Sequence, residues 1–557
     1  MKNLKIHLFV LLFFTFLTVI FTYPLIWHLD RAVFDIFEPL ILSWRMAWNA
    51  HQLFKDPLNL FQANIFYPSR NSLAYSENLI GITILVLPII KIFNNPILAH
   101  NLALFLSFIL SGYGMFLLTF YLTKNFLASL LSGLIYTFAP FKIFRMLYHI
   151  NILSGQWLPF AFLYLYKFFE DKKIKNIILF SFFSILQTLT SFHYFLFLLI
   201  GLIILIIIEI FFQKKLFFEK KFLKGLYLAS LIILAIILPI LWPYFQLEKL
   251  YKSNQKNIIY EMAFYTPSLK DFFIPWYIKK DYKDIEKNVF PGIITLIFLA
   301  VSFFIFSKNK LEEKQKRILI TFSLIALIGL LLSFGPLLKI KEHYFFNFGP
   351  YLPFSFLPGF KSIRAVGRFI ILFIFGISLI IGLAISIFLK KKSLTKLSFL
   401  FLLMILFIIE SLLISIKFVY LIELPIKKDI PYIYQTLAKE KDDFPLLELP
   451  ILINGKPEIS AIYMYFSTYH WKKLVNGSSS YYPPLYPQFV KTFIDFPHEK
   501  SIRLIKALGV KYIIIHYNLM KKEEKERIKR EIIKFPELVL KENFKDNNLE
   551  VYEVIEK

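Results

Sequence analysis

The feature that most constrains the fold is a series of apolar runs, most of them long enough to cross a lipid bilayer. The runs lie at about 6–27, 79–94, 97–122, 127–141, 152–169, 177–192, 195–212, 225–246, 290–307, 318–338, 368–389 and 397–421. A bilayer core of about 30 Å requires roughly 20 apolar residues in a helix. The composition agrees, since 57% of the residues are hydrophobic and the mean hydropathy is +0.60. The sequence therefore predicts a polytopic α-helical membrane protein with about 11–13 spans.

The basic residues are concentrated in short loops between the apolar runs. The formal net charge is +26, and much of it comes from loops at 172–175, 214–224, 308–317 and 390–396. Short loops rich in Lys and Arg mark the cytoplasmic side of a membrane protein. This placement accounts for the charge without a nucleic-acid partner, which we exclude. The chain has no Cys, so disulfides, thiolate metal sites and thiol catalysis are excluded as well.

These loops predict the topology. Lys2 and Lys5 precede the first run, which has no small-residue cleavage site after it, so we expect a retained first span with a cytoplasmic N-terminus. The loop at 28–78 then lies outside. Four apolar runs separate this loop from the cytoplasmic loop at 170–176, although an odd number of crossings is required. One run does not cross or is re-entrant, and the short runs 79–94 and 127–141 are both candidates.

The character of the chain changes after residue 421. Short β-like runs at 445–449, 511–517 and 549–555 are separated by helix-like stretches at 501–508 and 521–534. This pattern predicts a soluble α/β domain over residues 422–557, on the extracytoplasmic side of the membrane. Residues 1–421 form the transmembrane domain.

The outer loop at 28–78 carries the clearest chemical signal. Asp30, Asp35 and Glu38 follow the first span, and apolar residues then recur at helical spacing from Leu40 to Leu53. The spacing favours an amphipathic helix on the membrane surface. The three acids suit a general base, metal ligands or helix-capping groups, and the sequence leaves these roles open.

Other polar residues have two interpretations each. Arg70 and Glu77 suit phosphate or sugar binding, or an ion pair at the head of the next span. His149, Gln156 and His193 lie in or beside apolar runs, where polar groups are costly and often functional. A satisfied structural group would look the same in sequence.

Two arginines enter a span from the outer side. Arg364 and Arg368 are four residues apart, so on an α-helix they share a face. Guanidinium groups at this interface can clamp a lipid phosphate or simply extend to lipid headgroups. Glu410, deep in the last span, is expected to serve as a structural tie or a functional group.

The tail contains a polar, aromatic and glycine-bearing region. Residues 467–471 include His470, and residues 476–484 begin with Asn476 and Gly477. Such loops bind sugars through stacking and hydroxyl hydrogen bonds, although an ordinary turn also uses Gly and paired Pro.

The layout resembles membrane glycosyltransferases of the GT-C fold, such as the protein O-mannosyltransferases and the lipid A aminoarabinose transferases. The loop motifs are similar to those of a bacterial branch of that class. The similar stretches are Asp35–Pro39, Trp44, Trp48, Phe66–Pro68, Leu73–Glu77, Arg364 with Arg368, Leu447–Pro450, Ser467–Trp471 and Asn476-Gly477.

The resemblance implies a function. In that class an outer-loop acid is the general base or binds metal, and basic residues hold a polyprenyl-phosphate donor. These roles fall on Asp35 or Glu38 and on Arg364 and Arg368, joined by Arg70. Better-known members often have paired acids closer together, which leaves open which acid is catalytic and whether a divalent metal ion is required.

The sequence thus predicts inverting sugar transfer from a polyprenyl-phosphate donor to an envelope glycan, lipid or protein at the cell membrane. The expected substrate-binding residues are Asp30, Glu77, His149, Gln156, His193, His470 and Asn476. A lipid-linked glycan flippase and a non-catalytic scaffold that binds envelope polymer are the alternatives. A flippase would be expected to have more charged residues within its spans than this sequence contains.

Overall fold

The structure is a computed structural model that describes residues 2–250, 255–275, 285–340, 343–346, 348–390, 393–426, 429–451, 457–544 and 548–555. The chain forms two compact units. Unit 1 comprises Met1–Ile26, Ala103–Ile240 and Lys252–Val419, and unit 2 comprises Trp27–Leu102, Leu241–Tyr251 and Tyr420–Lys557.

The described residues are mainly helical. The helices are α1 (Lys2–Phe21), α2 (Glu38–Lys55), α3 (Ile80–Phe93), α4 (Pro96–Thr123), α5 (Phe126–Phe138), α6 (Pro140–Arg145), α7 (Ile150–Leu153), α8 (Trp157–Asp171), α9 (Ile174–Thr190), α10 (Phe192–Phe212), α11 (Lys215–Phe218), α12 (Lys220–Glu248), α13 (Gln255–Tyr265), α14 (Ile293–Lys308), α15 (Glu313–Ser333), α16 (Ile370–Phe388), α17 (Leu394–Phe418), α18 (Tyr432–Lys439), α19 (Pro457–Ser467), α20 (Tyr486–Ile494), α21 (Glu499–Ala507) and α22 (Lys522–Ile532). The strands are β1 (Ala32–Val33), β2 (Leu338–Ile340), β3 (His343–Phe346), β4 (Ile422–Glu423), β5 (Pro445–Leu449), β6 (Lys473–Leu474), β7 (Tyr512–His516), β8 (Leu538–Phe544) and β9 (Leu549–Val554).

Many of these helices match the predicted spans. Within the described ranges, seven helices are long and apolar enough to cross a membrane, and α3, α5, α9 and α14 are shorter apolar helices. The prediction of a multi-pass helical membrane protein is confirmed.

The Lys-rich loops of unit 1 lie together at one end of its helices. Four ion pairs connect them: Lys172 with Glu219, Lys314 with Glu170, Arg317 with Glu209, and Lys390 with Glu312, at 2.9 to 3.4 Å. The loops after α8, α10, α14 and α16 therefore share one end of the bundle, as the distribution of charge predicts.

The same contacts identify the run that does not cross. Tyr121 at the end of α4 donates a hydrogen bond to Glu170, so α4 ends at the Lys-rich end and α5 runs back from it. By contrast, all of α3 belongs to unit 2. Asn95, just after α3, donates to the carbonyl of Asp30, which follows the first span, at 2.7 Å. The run at 79–94 is therefore the one that returns to its starting side.

Helix α16 is the centre of unit 1. Nearly all of its residues are buried, and it packs against α5, α14 and α15. The close approach to α15 requires glycine: a Cβ at Gly376 would lie 2.6 Å from the carbonyl oxygen of Phe322. Small residues let helix backbones approach closely where packing, rather than water, drives helix association.

Unit 2 contains a five-stranded sheet in the order β6-β5-β7-β9-β8. Strands β5, β6 and β7 are parallel, and β9 pairs antiparallel with both β7 and β8. The predicted strands at 445–449, 511–517 and 549–555 are β5, β7 and β9, and the predicted helices are α21 and α22. The expected α/β fold of the tail is confirmed, while β6, β8 and helices α18 to α20 carry no pattern that we recognised.

The first loop packs with the tail inside unit 2. Strand β1 pairs with β4, and Tyr67 donates to the carbonyl of Leu474 at 2.8 Å. The proposed boundary at 421/422 stays a prediction about domains. The compact units divide at Val419/Tyr420 and place residues 27–102 with the tail.

Helix α2 forms where the outer loop predicted a helix. Its residues Leu40, Trp44, Ala47 and Trp48 are all buried within the protein, and the helix packs against α3 and α19. Protein side chains therefore cover the apolar face that we expected lipid to contact. A location at the membrane surface stays a prediction.

Candidate functional site

A cluster of four basic side chains surrounds one buried carboxylate in unit 1. Arg368 makes a two-bond contact with Glu286, with Nη2 to Oε1 at 2.5 Å and Nε to Oε2 at 3.1 Å. Arg145 Nη1 lies 3.1 Å from Oε2, and His149 Nε2 lies 3.6 Å from Oε1. His193 Nε2 lies 3.2 Å from Arg368 Nη1. We call these five residues the Glu286 cluster.

The fold brings the cluster together from four places in the chain. His193 is in the first turn of α10, Arg368 precedes α16, and Glu286 is in a 3₁₀ turn before α14. Arg145 and His149 lie between α5 and α8. Helices α10, α14 and α16 all begin near the cluster and end at the Lys-rich loops. The positive ends of three helix dipoles are therefore on the side of the cluster.

The electrostatics of the cluster favour an anion. Burial raises the pKa of Glu286, but the charges of Arg145, Arg368 and His149 outweigh burial and hold it well below its ordinary value. The carboxylate is thus ionised and faces two guanidinium groups. Arg145 is fully buried and the Glu286 side chain is 11% exposed, so solvent screens these charges weakly. A phosphate is the kind of group that such a site attracts.

The structure brings three of our candidates, His149, His193 and Arg368, into one cluster. Arg145 and Glu286, which complete it, were missed. Arg145 follows an apolar run and Glu286 lies in a charged loop, and no spacing in the sequence relates them. The signal that existed was a charged residue beside an apolar run.

The expected shared helical face of Arg364 and Arg368 is wrong. Two 3₁₀ turns, Phe360–Ser362 and Val366–Phe369, occupy this segment, and α16 begins only at Ile370. Arg364 Nη1 instead pairs with Glu261 Oε1 at 3.0 Å, on a side chain that is 29% exposed. The two arginines bind different carboxylates.

Gln156 lies in unit 1 at the start of α8. It is fully buried, and neither polar atom of its amide has a hydrogen-bond partner among the described residues. Gln187 satisfies the helix start instead, because its Oε1 accepts from the backbone of Trp157 and Leu158 at 2.9 Å. A buried amide without partners is costly, which keeps Gln156 a candidate for ligand binding.

The outer-loop acids lie in unit 2 and differ from one another. Asp35 Oδ1 accepts from the backbone nitrogen of Phe37 at 2.8 Å, just before α2. Burial raises the pKa of Asp35, and the backbone hydrogen bonds from Phe37 and Glu38 only partly oppose this. Asp30 is 43% exposed beside Arg31. Asp35 therefore accepts backbone hydrogen bonds just before α2, while its capping role stays a prediction. Its raised pKa also suits proton transfer.

Two further predicted acids surround a buried cation in unit 2. Arg45, on α2, is 4% exposed, and its Nε has no hydrogen-bond partner in the part of the chain that the structure describes. Burial lowers the pKa of Arg45, against the opposing charges of Glu38, Tyr244 and Glu77. Glu38 and Glu77 thus share an electrostatic neighbour, which was not predicted.

Arg70 and His470 line the same cavity in unit 2, which has a volume of about 390 Å³. Asn476, in contrast, uses both ends of its amide on the backbone of Glu448: Oδ1 accepts from its nitrogen and Nδ2 donates to its oxygen, each at 2.8 Å. Asn476 is fully buried. Its geometry is that of a structural clamp beside β5, so the substrate-binding role that we predicted has no support in this arrangement.

The metal requirement is untested. Within the described ranges, no three His or acidic side chains gather in a way that could hold a metal ion. We assign no ligand set to Asp35 or Glu38.

The helical bundle and the α/β tail together define a multi-pass membrane protein of the GT-C fold. The chain belongs to the family described as "Domain of unknown function (DUF6311)", which matches residues 7–410. No curated protein matches the chain by sequence.

Solved structures resemble the whole chain. The arabinofuranosyltransferase AftD from Mycobacteria aligns with a TM-score of 0.58 and 11% identity over 99% of this chain. Its mutant R1389S aligns with a TM-score of 0.55 and 10% identity over 98% of this chain and 41% of its own. The chain spans only 40% of the length of AftD.

A third structure is the archaeal oligosaccharyltransferase AglB from Archaeoglobus fulgidus, in complex with an inhibitory peptide and a dolichol-phosphate. It aligns over 92% of this chain and 69% of its own, with 11% identity. Its TM-score of 0.42 is too low for a fold comparison.

Proposed function

We propose that this protein is a membrane glycosyltransferase that transfers a sugar from a polyprenyl-phosphate donor to an acceptor in the cell envelope. The observation that carries the proposal is the Glu286 cluster, a buried site that gathers two arginines and two histidines in a GT-C fold. The similarity to AftD, an arabinofuranosyltransferase, supports sugar transfer as the chemistry.

In this proposal the Glu286 cluster holds the donor phosphate. Arg368 and Arg145 supply the positive charge, and Glu286 fixes the direction of both guanidinium groups. His149 and His193 add hydrogen-bonding nitrogens at the edge of the cluster. Arginine suits this role because its planar fork matches the oxygens of a phosphate.

The proposed reaction inverts the anomeric carbon. In this proposal Asp35 or Glu38 takes the proton of an acceptor hydroxyl, whose oxygen attacks the anomeric carbon. The bond from that carbon to the phosphate oxygen breaks, and the lipid phosphate leaves with the electron pair. Asp35 is the preferred base because its raised pKa brings it closer to neutral pH.

The distribution of charge supports an orientation. In this proposal the Lys-rich end of unit 1 faces the cytoplasm, and the Glu286 cluster faces the extracytoplasmic side. A lipid-linked donor already carries the activated sugar, so the reaction requires no nucleotide there.

The test uses purified protein in lipid nanodiscs with a panel of labelled polyprenyl-phosphate sugars and envelope extract as the acceptor. We expect transfer by the wild type and a loss of about 10²- to 10⁴-fold on removal of the general base, through Asp35→Asn or Glu38→Gln. Asp56→Asn is the matched control, because Asp56 is an acid of the same loop whose carboxylate accepts only a surface hydrogen bond from Asn59 in the described ranges and has no predicted role.

The donor site has its own variant. Arg368→Lys keeps the charge but loses the fork, so we expect a raised KM for the donor. Consumption of no donor by folded wild-type protein would contradict the proposal, as would full activity in both acid variants.

A further inference from the structure

A cavity in unit 2 has the features of a ligand site, although the proposed reaction does not use it. It has a volume of about 390 Å³, within the usual range for small-molecule sites. Four segments of unit 2 form its walls: the last turns of α2, the segment 62–70, the loop at 441–443 and the loop at 470–473.

One wall is aromatic. Trp471 stacks on the ring of His51 with centroids 4.4 Å apart, and Trp48 meets it edge-on at 5.8 Å. Trp471 has φ of +57°, a left-handed conformation that is costly for a bulky residue and persists only where its surroundings enforce it. Flat aromatic faces bind the apolar faces of sugar rings.

His470 lines the same cavity, and its ring is buried. His470 is 7% exposed, and its Nδ1 accepts from the backbone nitrogen of Lys472 at 2.9 Å. Burial, followed by the charge of Lys472, lowers the pKa of His470 to about 3. The ring is therefore neutral with its proton on Nε2. Among the described residues, this buried Nε2 has no hydrogen-bond partner.

The charge around the cavity is positive. Five basic and two acidic side chains line it: Lys55, Arg70, Lys441, Lys472, Lys473, Asp442 and Asp443. Lys473 pairs with Asp443 at 2.8 Å, and Lys472 donates to the carbonyls of Glu440 and Asp442 at 2.6 and 2.5 Å. Arg70 is exposed and makes no ion pair within the ranges that the structure describes.

We propose that this cavity binds a negatively charged sugar residue, with its ring against Trp471 and its anionic group near Arg70. The aromatic wall accounts for the sugar, and the excess of basic side chains accounts for the charge.

Two sources can supply such a residue. It can be a uronate within an acidic glycan, which would be an acceptor, or a sugar phosphate, which would resemble a donor headgroup. The binding itself does not depend on the proposed transferase activity. A test without turnover therefore separates the two proposals.

The test is a titration of the purified full-length protein by microcalorimetry. The probes are digalacturonate with its neutral dimethyl ester, and galactose 1-phosphate with neutral galactose. We expect saturable binding of one charged probe at millimolar concentration, with at least tenfold weaker binding of its neutral partner. Added salt should weaken the charged interaction, because Arg70 is exposed.

Variants at Arg70 and Trp471 assign the binding to this cavity, and a variant at Lys500 is the control. Arg70→Gln should weaken the charged probe about tenfold, as expected for one charge-assisted hydrogen bond, whereas Lys500→Gln, an exposed cation elsewhere in unit 2, should have no effect. Trp471→Ala should abolish detectable binding, and Trp471→Phe should retain it. If Trp471→Ala does not fold, His51→Ala is used in its place, because it removes the ring on which Trp471 stacks.

The outcome identifies the source. Binding of digalacturonate indicates an acidic glycan, and binding of galactose 1-phosphate indicates a phosphate-linked sugar. The proposal is overturned if neither charged probe binds, if the neutral partners bind equally well, or if Arg70→Gln and the Trp471 variants leave binding unchanged.

Discussion

Glu286 is the residue on which the unit 1 cluster depends. Arg145, Arg368 and His149 approach its carboxylate, and His193 reaches the cluster through Arg368. Removing one partner of a buried ion pair usually costs more than the pair contributes, because the remaining charges stay buried.

Glu286→Gln should therefore destabilise the protein by about 3–5 kcal/mol. Glu261→Gln is the control, because Glu261 pairs with Arg364 while 44% exposed, and such pairs contribute about 0–1 kcal/mol. Thermal unfolding in detergent at neutral pH measures both. Equal losses in the two variants would mean that the cluster carries no special electrostatic stress.

The same carboxylate predicts a pH dependence of stability. The folded pKa of Glu286 lies below its unfolded value, so its contribution is complete above the unfolded pKa and is lost as the pH falls toward the folded pKa. Wild-type Tm should fall in acid more steeply than the Tm of Glu286→Gln. Parallel curves for the two proteins would contradict this assignment.

Asp35 should show the opposite sign. Burial raises its pKa, so its ionised form carries a penalty that grows as the pH rises from the unfolded pKa through the folded pKa. Asp35→Asn keeps an oxygen that can accept from Phe37, so its Tm at neutral pH should equal or exceed that of the wild type. Sugar transfer should nevertheless be lost. A lower Tm together with partial activity would indicate that Asp35 is only a helix cap.

The limits of sequence reasoning are clear at this scale. His149, His193 and Arg368 could be predicted because polar groups beside apolar runs are costly. Glu286 could not, because its role depends on contacts with residues far away in the chain. Those contacts can be identified only when the arrangement of the helices is known.

At the scale of single elements, the predictions succeeded where periodicity was strong. The apolar runs gave the helices of unit 1, and alternating or continuous apolar stretches gave β5, β7 and β9. The segment at 360–369 failed, because a four-residue spacing implies a shared face only on a regular α-helix, and 3₁₀ turns break that geometry.

Glu410 shows how one side chain holds two helices together. Its carboxylate, on α17, accepts from the backbone nitrogens of Ile293 and Ile294 at 2.6 and 3.0 Å, at the start of α14. These nitrogens have no partner within their own helix. The geometry is that of the structural tie, one of the two roles expected for Glu410.

Glu410→Ala should cost about 1–3 kcal/mol of stability, as expected when buried donors lose a charged acceptor. Glu410→Gln, which retains one oxygen, should cost less. Thermal unfolding of both variants beside the wild type measures the order. Loss of sugar transfer at an unchanged Tm would instead assign Glu410 a functional role.

At the scale of the whole molecule, the sequence predicted the class of protein and which helix ends lie together at the Lys-rich loops. It left the number of membrane crossings undecided. The runs 79–94 and 127–141 are both short, and hydropathy does not distinguish them. The contacts in the structure distinguish the two runs, because α5 runs back from the Lys-rich end of unit 1 whereas α3 belongs wholly to unit 2.

This topology can be tested by labelling, because the chain has no Cys of its own. Single cysteines replace four exposed residues: Leu58 before α3, Asn94 after α3, Lys173 in a Lys-rich loop, and Lys500 in the tail. If α3 does not cross and the Lys-rich end is cytoplasmic, an impermeant maleimide should label Leu58→Cys, Asn94→Cys and Lys500→Cys in intact spheroplasts. Lys173→Cys should react only after permeabilisation. Labelling of only one of Leu58→Cys and Asn94→Cys in intact spheroplasts would show that α3 crosses. Labelling of Lys173→Cys alone would reverse the orientation and remove the Glu286 cluster from the side where the proposed donor is used.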